Sequence, residues 1–403
     1  MPDPTTTASS VLNFLEEEDY EQPVQTPGQP PRASAPAPIR VRVAAPEEPI
    51  EATEAPVETA EESSQPETPK RPSGAYITEG NARLVAFTGM FPAVDVEALS
   101  VLSNRQETRF APGGELTSIQ GTKQRLDKIV RVGALKRTKN IGTKVQHYGI
   151  TDAGIGAAWS YGYALEKPDR IDGLSKSRLT HYQMIAHVAA LLASPRGFYK
   201  KALGIDPVPL DNLISEKMMR ASFDGVKRKL KEELEADASV DHRGDFGRWR
   251  DDIVQSAIQA VADGRLQWNE IVEARPALLT LGAAQRGDTK RKAVHQPDLA
   301  VILDGDRTGE RAKNLLVEVE ISKKSWEEYD AIFATIKHEL DEGSVYDRAI
   351  YFTHGNQIPS LLKRVNARGS YGLIESGRLR ILPLVHRDGT PFSFENRVKI
   401  GGN

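Results

Sequence analysis

The chain has 403 residues, a net charge of −3 and no cysteine. Disulfides and thiolate metal sites are therefore excluded. No apolar run reaches membrane-spanning length and the N-terminus lacks the pattern of a signal peptide. These absences lead us to expect a cytoplasmic protein of two or three domains with no membrane partner.

The charge is distributed unevenly. Residues 1–75 hold fourteen Asp and Glu against five Lys and Arg, a net of −9, together with 14 of the 25 prolines. Acidic, Pro-rich sequence of low hydrophobicity cannot bury enough surface to offset chain entropy, so 1–75 is predicted to be a disordered tail. Within it, SSVLNFLEEEDYE sets Leu12, Phe14 and Leu15 beside an acidic run. That island reads either as a docking motif for a protein partner or as an ordinary stretch of tail.

Over 76–165 the pattern becomes ordered. VDVEALSVL (94–102) has the apolar spacing of a short helix. In the next segment Ile119, Leu126, Ile129, Val130 and Leu135 lie near helical spacing, and Gly133 is a natural stop. Leu135, Val145, Tyr148 and Ile150 suggest two strands around an Asn-Ile-Gly turn, with Thr151 and Asp152 positioned to cap a following helix. Helix, helix and basic hairpin is the order of a winged helix-turn-helix. Between residues 121 and 147, Lys123, Arg125, Lys128, Arg131, Lys136, Arg137, Lys139 and Lys144 face a single acid, Asp127. Such a patch suits double-stranded DNA, with the second helix in a major groove and the wing on the backbone. The alternative is a solvated basic face on a domain that binds protein.

Residues 175–290 read as helical. SRLTHYQMIAHVAALLASP is one helix; His181 and His187, six apart, do not share a face and read as polar or packed positions. PLDNLISEKMMRASFDGVKRKLKEELEAD and RWRDDIVQSAIQAVADG supply two more helical stretches.

From residue 291 the pattern is strand, strand, helix, strand, helix, strand, which is an α/β layout. HQPDLAVIL and NLLVEVEIS are the first two strands, joined as a hairpin through an Asp304-Gly305 turn. In the second, Val317, Val319 and Ile321 face one way, and Glu318 and Glu320 the other. Paired strands would bring Asp298 to these two carboxylates, and an oxygen cluster of that kind suits Mg²⁺ or Mn²⁺. A bland reading stands beside it, in which Glu318 and Glu320 line an exposed edge face and Pro297 simply opens a strand.

Pro297-Asp298 followed by Glu318-Val319-Glu320 resembles the PD-(D/E)xK nuclease core. That resemblance implies metal binding by Asp298, Glu318 and Glu320. Glu320 occupies the position of the family's lysine, and Lys323 is a candidate migrated lysine. With the winged helix, the Tyr148–Gly154 exit, Leu179-Thr180-His181 and Ile214-Ser215-Glu216, the chain also resembles the replication-relaxation family of plasmid and mobile-element proteins. Glu216 matches that core's helix-borne glutamate, with Glu270 as a rival.

The expected fold class is therefore α+β or α/β. It comprises a tail (1–75), a winged helix-turn-helix (76–165), and a helical region with a PD-(D/E)xK-like mixed-sheet domain (175–400). The resemblance implies a DNA-binding protein of a mobile element acting in replication or DNA relaxation, with metal-dependent nicking. Its alternative is a non-catalytic initiator or transcriptional regulator that keeps the fold for DNA shape and homodimer contacts.

Overall fold

The computed structural model describes residues 77–103, 117–139, 145–163, 165, 175–236, 246–282, 294–303, 313–343 and 345–392, all within one compact unit. The tail 1–75, the Asn140-Ile141-Gly142 turn, Lys144 and the Asp304-Gly305 turn lie outside the described residues, as does the Lys139 side chain. The fold is mixed α+β.

Helix α1 (Glu79–Met90) starts at Thr78, whose hydroxyl accepts the Asn81 N–H. The stretch predicted as one helix over 94–102 divides into β1 (Val94–Asp95) and α2 (Val96–Leu102). Asp95 causes the division: its Oδ1 accepts the Ala98 N–H at 2.8 Å, so the helix can begin only after it. Helix α3 (Ile119–Arg131) is capped by Ser118 and buries Thr122, Leu126 and Ile129, one stripe at helical spacing. Gly133, at φ 83°, ends it in a conformation that favours glycine. Strands β2 (Leu135–Lys139) and β3 (Gln146–Ile150) follow, and the antiparallel sheet order is β1-β3-β2. Three helices with this sheet order make a winged helix. Helix α4 (Asp152–Trp159) is capped by Thr151 as expected, and a side chain at Gly154 would collide with the Ala134 carbonyl.

Helix α5 (Lys176–Leu192) and the short α6 (Lys200–Leu203) lead into β4 (Leu213–Ser215), which runs directly into α7 (Glu216–Ala236). Leu213 and Ile214, expected on a helix, instead form an edge strand against β7. Three residues are too few to display a strand period. Then come α8 (Phe246–Ala262), α9 (Trp268–Ala274) and the two-stranded β5 (Leu281–Gly282) and β6 (Val294–His295). Strands β7 (Leu299–Val301) and β8 (Asn314–Glu320) pair antiparallel, Leu299 opposite Val317. Helix α10 (Trp326–Glu342), β9 (Tyr346–Thr353), α11 (Gln357–Arg368) and β10 (Leu379–Pro383) complete the unit. The five-stranded sheet has the order β10-β9-β8-β7-β4, with β8, β9 and β10 parallel. Two helical crossovers, α10 and α11, make those parallel pairings possible.

Each sheet face has its own core. Leu299, Val301, Val317, Val319, Ile350 and Phe352 share one with α5 and the winged helix. Ala300, Leu316, Ala349 and Tyr351 share the other with α10 and α11. The winged helix is fixed to the sheet by buried polar contacts as well. Gln183 of α5 donates to Asp95 at 2.5 Å, and Ser194 donates to the Val101 carbonyl at 3.2 Å. Past β10, His386 Nδ1 lies 2.9 Å from Glu97 Oε1, the Arg387 N–H donates to the same oxygen at 3.1 Å, and the Arg387 guanidinium donates to Ser100 at 2.6 Å.

This clamp predicts an acid response. Burial would raise the Glu97 carboxyl, but the hydrogen bond from His386 and the Arg387 amide outweigh it and hold its pKa at about 2, against 4.5 for a free glutamate. A depressed folded-state value contributes stability above the unfolded value that is lost as pH falls toward 2. Urea melts from pH 6 to pH 2.5 should therefore fall less steeply below pH 4.5 for Glu97→Gln than for wild type. The difference should be roughly 2–3 kcal/mol. Parallel curves would show that the clamp contributes nothing.

Candidate functional site

Strand β8 is central in its sheet, so Glu318 and Glu320 do not line an exposed edge; each is only 4% exposed. The alternation read from VEVEI holds, with Val317 and Val319 in the core shared with α5. The two carboxylates point the other way, toward Tyr351 and Tyr329. Burial, with Glu318 and then Glu320 as the next causes, pushes the Tyr351 hydroxyl well up; burial with Glu320 pushes Tyr329 up to about 12.

Asp298, just ahead of β7, has both oxygens engaged. His181 Nε2 of α5 is 3.0 Å from Oδ1, and Oδ2 accepts the Val319 N–H at 2.7 Å. Its carbonyl accepts the Glu216 N–H at 3.1 Å, which fixes the β4–α7 junction at the carboxylates. Glu216 therefore does sit beside Asp298, and it is held by Arg220 one turn along α7. Its rival Glu270 is elsewhere, exposed in the capping box of α9. His295 Nε2 is 2.7 Å from Glu318 Oε1. Lys324 Nζ is 2.5 Å from Glu320 Oε2, whereas Lys323, expected as the migrated lysine, points to solvent.

Two of these basic partners were invisible as site residues in the sequence. His181 read as an ordinary helix position because its partner lies 117 residues away, and His295 belongs to a two-residue strand with no pattern of its own. A histidine two residues before Pro297-Asp298 was the one local signal. Burial acts to lower both imidazoles, but Asp298 (with Glu216 and Glu320) raises His181, and Glu318 (with Asp298) raises His295. Burial likewise acts to lower Lys324, yet Glu318 and Glu320 raise it, so this lysine stays charged and cannot serve as a base near neutral pH. Burial raises Glu216, against Arg220, and raises Glu320, against Lys324. Four carboxylates thus meet four basic side chains in and beside the cluster, which offsets the repulsion between buried acids.

Oxygen donors of this kind have the chemistry Mg²⁺ or Mn²⁺ requires. Here they are engaged with neighbouring side chains and backbone rather than set around an ion site. Asp298 has one hydrogen-bond partner on each oxygen, Glu318 and Glu320 each hold a basic partner, and among the described residues no three His, Asp or Glu side chains group as ligands. The crevice that reaches Asp298, between Pro92, Tyr182 and Glu216, has a cavity volume of only about 10 Å³. Small-molecule sites usually offer roughly 300–1,000 Å³.

If the cluster is a charge-balanced core, its lysine can be tested directly. Lys324→Met should cost about 2–3 kcal/mol in urea unfolding, because Glu320 is left buried beside Glu318. The figure lies below that of a fully buried pair because the Lys324 side chain is 36% exposed. Lys323→Met should change stability by less than about 0.5 kcal/mol, and Lys324→Met combined with Glu320→Leu should recover most of the loss. Equal effects at 323 and 324 would overturn this assignment.

The second candidate surface is the outer side of α3. Gln120, Lys123, Gln124, Lys128 and Arg131 are exposed along one side, with Asp127 half-buried among them. Arg125, expected on DNA, is instead structural: its guanidinium donates to Asn81 at 2.5 Å and to Ser103 at 2.9 Å. Helical geometry turns residue 125 inward next to the buried Leu126, which a count of basic residues does not register. Arg137 of β2 is exposed and paired with Asp127, and Lys136 is half-buried.

No helix among the described residues is long and apolar enough to cross a membrane. No known protein family, curated protein or solved structure matches the chain.

Proposed function

We propose that this is a cytoplasmic DNA-binding protein of a mobile element, acting in replication or DNA relaxation as a non-catalytic initiator or regulator. The observation that carries the reading is the exposed side of α3. Lys123, Lys128 and Arg131 supply phosphate contacts, and Gln120 and Gln124 alternate with them on the same face. Glutamine can pair with adenine through two hydrogen bonds in the major groove, so this face carries groups for positioning and for base reading. Asp127, held by Arg137, leaves the basic residues around it to act on DNA.

The pairing of Asp298, Glu318 and Glu320 with His181, His295 and Lys324 favours the non-catalytic form over metal-dependent nicking. In that form the cluster ties α5, α7, β7 and β8 together. The test is a gel shift on linear duplex together with a nicking assay on supercoiled plasmid, each with and without Mn²⁺. The expected result is a shift in both conditions and no Mn²⁺-dependent nicking. Nicking that disappears in Glu318→Gln would replace this reading with the catalytic one, and no shift in either condition would sink both.

A further inference from the structure

We propose that the exposed face of α3 is also the docking surface for this chain's own acidic segment, Leu12 to Glu21, which competes there with DNA. The inference rests on the DNA-binding reading of α3 and adds an occupant for the same surface.

Three observations converge on it. The first is the pattern of the surface. Ile119, 42% exposed, opens α3, and Lys123, Lys128 and Arg131 follow along its outer side. The second is the pattern of the segment. Leu12, Phe14 and Leu15 come first, then Glu16, Glu17, Glu18, Asp19 and Glu21. Apolar then acidic matches apolar then basic in the same direction. The lengths agree as well. Lys123 to Arg131 spans about 12 Å of helix, and Glu16 to Glu21 reaches at most about 18 Å when extended.

The third observation is the tether. The described chain begins at Ile77, and Asn81, in the first turn of α1, holds Arg125 of α3 at 2.5 Å. The acidic segment is therefore attached beside the helix it would cover. From Glu21 to Ile77 is a span of 56 residues. A random coil of that length would have an end-to-end distance on the order of 40 Å, enough to reach all of α3, which is only about 20 Å long. Attachment at that range gives an effective concentration on the order of millimolar, so a weak charge-driven contact suffices to compete. Because both contacts are ionic, the competition must fade as salt rises.

The test uses the full chain. In one variant Glu16, Glu17, Glu18 and Glu21 become Gln and Asp19 becomes Asn. Duplex affinity is measured by fluorescence anisotropy at about 50 mM and about 300 mM salt, where screening separates the two regimes. The expected result is binding about tenfold tighter than wild type at the lower salt, with the gap closing at the higher. In a second arm, a labelled peptide of residues 10–22 is added to the neutralised chain. It should bind saturably, and Lys123→Glu with Lys128→Glu and Arg131→Glu should abolish that binding. Equal duplex affinities at low salt together with no peptide binding would overturn the inference while leaving DNA binding intact. Peptide binding to a chain that never binds duplex would overturn the DNA reading and leave the docking surface standing.

Discussion

Replacing Lys123, Lys128 and Arg131 of α3 together by glutamate should weaken binding to a duplex by at least about 100-fold near 100 mM salt. The expectation follows from position. All three are exposed on one side of a helix whose opposite side, Thr122, Leu126 and Ile129, is buried in the winged helix. Each lost phosphate contact removes about 0.9 from the slope of log affinity against log salt, so the slope should fall by roughly 3. Gln120→Ala and Gln124→Ala should behave differently. They should leave the slope unchanged and reduce the preference for one sequence over another, because base contacts specify while phosphate contacts position. Arg125→Ala is the control. It should lower thermal stability through its lost bonds to Asn81 and Ser103 while leaving the salt slope as in wild type. A triple variant that binds with unchanged affinity and slope would remove α3 as the DNA contact.

Arg250→Met should cost about 3–5 kcal/mol in equilibrium unfolding. Arg250 of α8 donates to Glu339 of α10 at 2.9 Å and to the Leu278 carbonyl at 2.9 Å. Their side chains are 8% and 5% exposed. Removing the guanidinium strands the Glu339 carboxylate in the core beneath β9, where no water can solvate it. Removing both charges, as Arg250→Met with Glu339→Leu, should recover most of the stability, since matched apolar residues escape the desolvation cost. A single variant that melts with the wild type would show that the pair adds nothing net. A double variant as unstable as the single would show that packing, rather than charge, sets the loss.

The two substitutions probe different parts of the molecule. The first acts on a surface and should leave the melting curve near wild type. The second acts on the packing of α8 against α10 and should leave the chemistry of α3 unchanged in whatever fraction remains folded. Loss of DNA binding by Arg250→Met below its melting temperature would mean that the helical layer and the winged helix communicate. The link between the sheet and the winged helix runs through α5, which contacts Asp298 through His181 and Asp95 through Gln183.

Local rules determined much of the fold. The apolar stripes of α3, α5, α10 and α11 and the alternation in β8 follow from periods of 3.6 and 2 that belong to the backbone. Ser118, Thr151 and Ser325 start helices because a short side-chain oxygen can accept an orphan N–H one turn ahead. The parity of Glu318 and Glu320 was likewise legible, since alternate strand residues must share a face. Tertiary structure decided what those residues meet. It placed β8 in the middle of the sheet, which buried its carboxylates, and it brought His181 and His295 to acids 117 and 23 residues away. It also chose Lys324 over Lys323 and turned Arg125 inward. Periodicity fixes which side of an element a residue occupies. Burial and ion pairing depend on which other element covers that side, and that is settled only when distant segments pack.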